Sequence, residues 1–155
     1  MGVLTVDGGQ EAQGSMNESG DVRPVVLVVE DFEDNRFMMR RLLEMSGYRV
    51  VEAVNGNQAV ERAAAEHPDI ILMDLSLPQL DGLAATRRIR AQENSRRVPI
   101  VAVSAHDSAD FHAEALAAGC NEYVTKPIDF DQLVQLLDRL VAVDGLDHAV
   151  AAHLQ

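Results

Sequence analysis

The sequence predicts an α/β fold, a doubly wound (βα)5 three-layer sandwich around a five-stranded parallel sheet. Three observations carry that expectation. Short unbroken apolar runs recur along the chain, at Val25–Val29 (VVLVV), Ile70–Met73 (IILM) and Ile100–Val103 (IVAV). Runs without polar alternation suit strands covered on both faces, as in the middle of a parallel sheet. Stretches of helical periodicity separate these runs, and helix-start signals stand at the junctions.

In chain order, the first strand is Val25–Val29, and Met38, Leu42 and Met45 after it fall at i, i+4, i+7 and mark the first helix by its apolar face. Arg49–Glu52 is a weaker second strand, and Asn55 with Gln58 has the spacing of a capping box for the second helix. The third strand, Ile70–Met73, runs into a loop that Pro78 and Gly82 shape, and Asp81 opens an Ala/Arg-rich third helix. Within it, Arg87, Arg88 and Arg90 read as a solvated face. Ile100–Val103 is the fourth strand and Ser108–Ala118 the fourth helix. Asn121–Val124 is a weaker fifth strand. Asp129 with Gln132 then caps a fifth helix whose Leu133, Leu136, Leu137 and Leu140 share a face.

The ends differ from the middle. Residues 1–22 are rich in Gly, Ser, Asn and acid, carry no basic residue, and read as a flexible acidic tail, with Met16 as an alternative start. Residues 23–142 form the folded domain, and 143–155 a short C-terminal tail or helix extension. The formal charge of −12 argues against a nucleic-acid or anionic-membrane partner, which would need clustered Lys and Arg. The chain has neither a membrane-length apolar run nor a secretory leader pattern. The lone Cys120 fits a reducing, cytoplasmic setting as a small buried hydrophobe beside Gly119.

In a doubly wound sheet the ligand site lies outside the carboxyl ends of the strands. Glu30 and Asp31 follow the first strand, Asp74 the third, Ser104 the fourth and Lys126 the fifth. Singly, each has an ordinary reading as a cap or loop polar residue. Together they are three carboxylates, a hydroxyl and an ammonium on one rim. Two carboxylates about 5 Å apart repel by roughly 3 kcal/mol at an effective dielectric of about 20, so the cluster calls for a cation. All-oxygen ligands favour a hard divalent ion, Mg2+ or Mn2+. Asp74 can attack phosphorus, while Ser104 and Lys126 can pair with phosphoryl oxygens. Lys126 is the only lysine among thirteen basic residues. Its compact ammonium suits a crowded anionic pocket better than a guanidinium fork.

The series VVEDFEDN, ILMDLSLPQLDG, VAVSA and YVTKP closely resembles the receiver domain of two-component response regulators, the CheY-like family within the flavodoxin-like folds. The likeness covers roughly residues 24–142. It implies Asp74 as phosphoacceptor and Glu30, Asp31, Asp74 and the Ser76 backbone carbonyl as the metal set. It further implies Ser104 and Tyr123 as the switch pair, Lys126 as the phosphoryl partner, and Pro127 as a structural residue following a cis bond. Ser76 and His106 would tune hydrolysis. The partners implied are a sensor histidine kinase or histidine phosphotransfer protein, and an unidentified downstream protein.

The expected activity is Mg-dependent transfer from a phosphohistidine to Asp74, which switches the face formed by the fourth helix, fifth strand and fifth helix. Such a domain is not a turnover enzyme. No effector module is recognisable beyond Ala142, and Ser108–Ala118 contains no Lys or Arg. These features suggest a stand-alone receiver, a monomer or weak dimer. Three alternatives stand beside it. A haloacid dehalogenase-type phosphatase would want an Asp where Ser76 stands, and a flavodoxin-like binding module would not need the acid triad. The third is a phosphorylation-independent receiver acting as an interaction module. Tyr123 taken alone is equally well a core residue, and His67, His112, His148 and His153 read as surface residues.

Overall fold

The computed structural model describes residues 20, 22–77, 81–95 and 97–154, with side chains as far as residue 142. Most of the N-terminal segment, including Met16, lies outside the described residues, as do Pro78 and the side chains of His148 and His153. Five strands alternate with five α-helices among these residues: β1 Val25–Val29, α1 Glu33–Met45, β2 Arg49–Ala53, α2 Gly56–Glu66, β3 Ile70–Asp74, α3 Gly82–Ala91, β4 Ile100–Ser104, α4 Ala109–Ala118, β5 Glu122–Thr125 and α5 Phe130–Leu154. A short 3-10 turn, Glu93–Ser95, precedes β4. The strands are parallel in the order β2-β1-β3-β4-β5, so the three apolar runs occupy the centre as expected.

Two apolar layers cover the sheet. Leu43 from α1 and Leu133 and Leu137 from α5 pack on Val26, Val28, Ile70 and Val101. On the other face, Ala59 and Ala63 from α2, Ala85 and Ile89 from α3 and Ala115 from α4 meet Leu27, Ile71 and Ala102. Small residues on that face let three helices sit close to the strands. The caps form as the sequence indicates. Asn55 accepts from the Gln58 N–H at 2.8 Å, Asp81 from Ala84 at 2.8 Å and Asp129 from Gln132 at 3.1 Å. No helix among the described residues is long and apolar enough to cross a membrane.

Two readings are corrected. Met38, Leu42 and Met45 are not the core face of α1; Met38 and Met45 are 55% and 78% exposed, and Met39 and Leu43 point inward instead. The helix is apolar on two faces. Its inner side is completed by Arg36 and Arg40, whose guanidinium groups bind Glu52 of β2. Arg90 does not lie on a solvated face either. Its guanidinium donates to the carbonyls of Ser95, Val98 and Gly119 and to Asn121 Oδ1, tying α3 to the loop before β4 and to the end of α4. Gly119, at φ +119, turns its carbonyl toward that guanidinium.

Candidate functional site

Each apolar run ends one residue before chemistry begins. Leu75 N–H bonds the Val103 carbonyl at 3.0 Å, so β3 and β4 remain paired to their carboxyl ends. Asp74 and Ser104 are thereby held as final strand residues, 4% and 1% exposed. β1 stops at Val29, and its extension places Glu30 half-buried and Asp31 exposed above Asp74. Ligand oxygens of Glu30, Asp31 and Asp74 lie within 4.8 Å of one another. The turn after β3 is drawn tight, since Ser76 N–H donates to Asp74 Oδ1 at 2.9 Å. Gly82 lets α3 approach at that point. A Cβ there would run into the Asp74 carbonyl oxygen and stand 2.7 Å from Leu75 Cα.

Lys126 arrives from the other side. Its Nζ lies 3.5 Å from Asp74 Oδ2, its own N–H bonds the Ser104 carbonyl at 2.8 Å, and the following bond to Pro127 is cis. Burial pushes the Glu30 carboxyl above its ordinary value; the Phe32 N–H opposes that shift and the Asp74 charge adds to it. One ammonium therefore faces three carboxylates. The donors are all oxygen and already gathered, so the residues present fit a hard divalent cation held by Glu30, Asp31 and Asp74.

Ser76 and His106 each stand two residues beyond a rim residue and return their N–H groups to its side chain, Ser76 to Asp74 and His106 to Ser104. His106 N–H donates to Ser104 Oγ at 3.0 Å, and its ring stacks on Phe111 at 4.2 Å between centroids. Tyr123 stands apart from the acids, on the α4 side. Its Oη donates to the His106 carbonyl at 2.8 Å and its ring stacks on His112 at 3.8 Å. The sequence places His112 at the surface, where its side chain is 41% exposed, but does not announce its contacts or those of Asp107. Asp107 Oδ1 lies 3.2 Å from His112 Nε2 and accepts from Thr125 Oγ1 at 3.2 Å. Only the five-residue separation of Asp107 and His112, one helical turn plus the cap, could have hinted at that pair.

Residues 26–138 match the family model of the response regulator receiver domain. The polar-differentiation response regulator DivK of Brucella ovis is 35% identical over 112 residues, covering 72% of this chain and 91% of the relative. Among solved structures, the receiver domain of a sensor histidine kinase from Pseudomonas aeruginosa is 42% identical, with TM-score 0.73 over 77% of this chain and 98% of that one. That structure has a magnesium ion coordinated in its active-site cleft. The chemotaxis protein CheY4 of Vibrio cholerae is 27% identical with TM-score 0.73, over 76% of this chain and 98% of its own. With the five-stranded parallel sheet and the acid cluster at its carboxyl rim, these matches place the chain in the response regulator receiver domain family of two-component signalling.

Proposed function

We propose that this receiver takes a phosphoryl group onto Asp74. Family membership implies a phosphodonor of the sensor histidine kinase or histidine phosphotransfer class, and a signalling module rather than a turnover enzyme. The observation that carries the assignment to Asp74 is its position. It is the buried carboxylate of the cluster, sits within 4.8 Å of two further acids and faces Lys126 at 3.5 Å. In the reaction a carboxylate oxygen of Asp74 attacks phosphorus, the phosphorus–nitrogen bond of the phosphohistidine breaks, and its electron pair returns to the imidazole. Lys126 pairs with one phosphoryl oxygen and Ser104 donates its hydroxyl hydrogen to another. Glu30, Asp31, Asp74 and the Ser76 carbonyl would hold the cation, which when bound would offset the charge of the incoming phosphoryl group.

Loading Asp74 draws Ser104 toward the phosphoryl group. Ser104 ends β4, and its Oγ accepts the N–H of His106 in the following loop, whose carbonyl holds Tyr123. Movement at Ser104 therefore reaches the surface of α4, β5 and α5, where a downstream protein reads it. Ser76 and His106 set how long the phosphoryl group survives, since both flank the path of attacking water. The phosphodonor protein has a surface beside the cleft, where Phe32, Phe37 and Met38 are all more than half exposed at the start of α1 or just before it.

The test is labelling with a small phosphodonor such as acetyl phosphate and Mg2+. Wild type is expected to gain one phosphoryl group, and Asp74→Asn and EDTA each to reduce labelling by about a hundredfold or more. Lys126→Arg keeps the charge and is expected to label roughly three- to tenfold more slowly because the planar fork fits the pocket poorly. Labelling that persists in Asp74→Asn, or that appears on a histidine, overturns the assignment.

A further inference from the structure

Four side-chain contacts among Asp107, His112, Tyr123 and their neighbours tie the β4–α4 loop, α4 and β5 together, and two of them converge on His112. The imidazole lies against Tyr123 at 3.8 Å and 23° between ring planes, while its Nε2 faces Asp107 Oδ1 at 3.2 Å. Asp107 also accepts from Thr125 Oγ1, so one carboxylate on the loop bridges α4 and β5. The fourth contact is Tyr123 Oη on the His106 carbonyl, one residue before Asp107. Tyr123 is thus gripped at both ends. Its hydroxyl is tied to the loop, and its face is covered by a ring that the same loop orients.

We propose that His112 and Asp107 form a clasp that holds Tyr123 in this half-buried seat, and that charging the imidazole tightens it. The inference rests on Tyr123 acting as a moving part of the receiver, as read above. Neither clasp residue touches the acid cluster, so both act through Tyr123 and are positioning residues rather than catalytic ones. The direction of the pH effect follows from the surroundings. His112 meets Asp107 from the loop and Tyr123 from β5. Asp110 and Glu114 share its helix, and Glu122 opens the adjoining strand. The neighbouring α3 brings Arg90, but to the far end of α4, at Gly119. His106 stacks on Phe111 instead. The carboxylate in contact with His112 is Asp107, and a protonated imidazole gains both a charge-assisted bond to it and attraction to the phenol face. Acidification therefore favours the seated tyrosine.

The test is tyrosine-ring NMR on the full chain, which has two tyrosines, followed from about pH 8 to about pH 5.5, with Tyr123→Phe assigning the signal. The ratio of seated to unseated Tyr123 is expected to rise about two- to fivefold on acidification, the range of an exposed ion pair. His112→Phe keeps a stacking ring without the charge, and Asp107→Asn removes the carboxylate; both are expected to abolish the pH dependence with the domain still folded. A Tyr123 signal equally pH-dependent in these variants, or independent of pH in wild type, overturns the clasp. A Tyr123 signal that ignores acetyl phosphate while showing the pH dependence refutes only the switch reading, because the clasp is measured without phosphodonor.

Discussion

At the amino rim of the sheet, Asp69 accepts the N–H of Val25 at 2.7 Å and Asn121 that of Ile100 at 2.8 Å, whereas at the carboxyl rim Glu30, Asp31 and Asp74 crowd within 4.8 Å of one another. Both rims are polar. The amino rim spends its polarity on strand donors that would otherwise be buried and unpaired, and Arg90 completes it by serving three carbonyls and Asn121. The carboxyl rim keeps an excess of like charge, and burial disfavours the ionised form of Glu30. The difference shows where the fold is optimised for itself and where it stores repulsion for a ligand to relieve.

The sharpest way to break the distinction is at the one backbone contact on which the carboxyl rim depends. Gly82→Ala drives a methyl group into the Asp74 carbonyl and Leu75. We expect a loss of about 3 kcal/mol in urea unfolding, the scale of severe overpacking, together with slower labelling of Asp74. The second effect is smaller and confined to stability. Arg90→Ala removes the donor that serves both the loop before β4 and Gly119, at a cost of about 2 kcal/mol in the same assay. Labelling should stay near wild type; a collapse of labelling would show that the rims are not independent.

The smallest effect has the opposite sign. Glu30 has a folded-state pKa above its ordinary value, so its stabilising contribution is present at low pH and lost as pH rises through that raised value. Without divalent cation at neutral pH, Glu30→Gln is expected to stabilise the domain by under about 1 kcal/mol, since the group is only half-buried and solvent screens it. Mg2+ should stabilise wild type more than this variant, and the difference should vanish below about pH 4, where carboxylates protonate. Equal melting curves for both proteins with and without Mg2+ would argue against a cation at these acids.

How much was legible in the sequence depended on how local the signal was. The central strands were readable because VVLVV, IILM and IVAV are buried on both sides, and position at a strand end then placed Glu30, Asp31, Asp74, Ser104 and Lys126 on one rim. Local spacing likewise revealed the caps. The α1 face was misread because periodicity reports that apolar residues align, not which of two aligned stripes meets the sheet. Arg36 and Arg40 belong inward only because Glu52 stands on the neighbouring strand. Arg90 was unreadable for the same reason: its acceptors at Gly119 and Asn121 lie 29 and 31 residues away. His112 is 41% exposed, as expected of a surface residue, but nothing local announces that its ring stacks across to β5.

Among the described residues the sheet has two open flanks, β2 and β5, and an open flank is where another chain can add itself. β5 gives little purchase. It is four residues long, begins with Glu122, and is soon followed by Pro127, which has no amide hydrogen. β2 sets Arg49 and Glu52 along its five residues. Stacking sheets edge to edge would need a longer and less charged template than either. The apolar strands that make this core are therefore expected to remain sealed between blunted edges, and concentrated protein to resist fibrillar growth from the folded state.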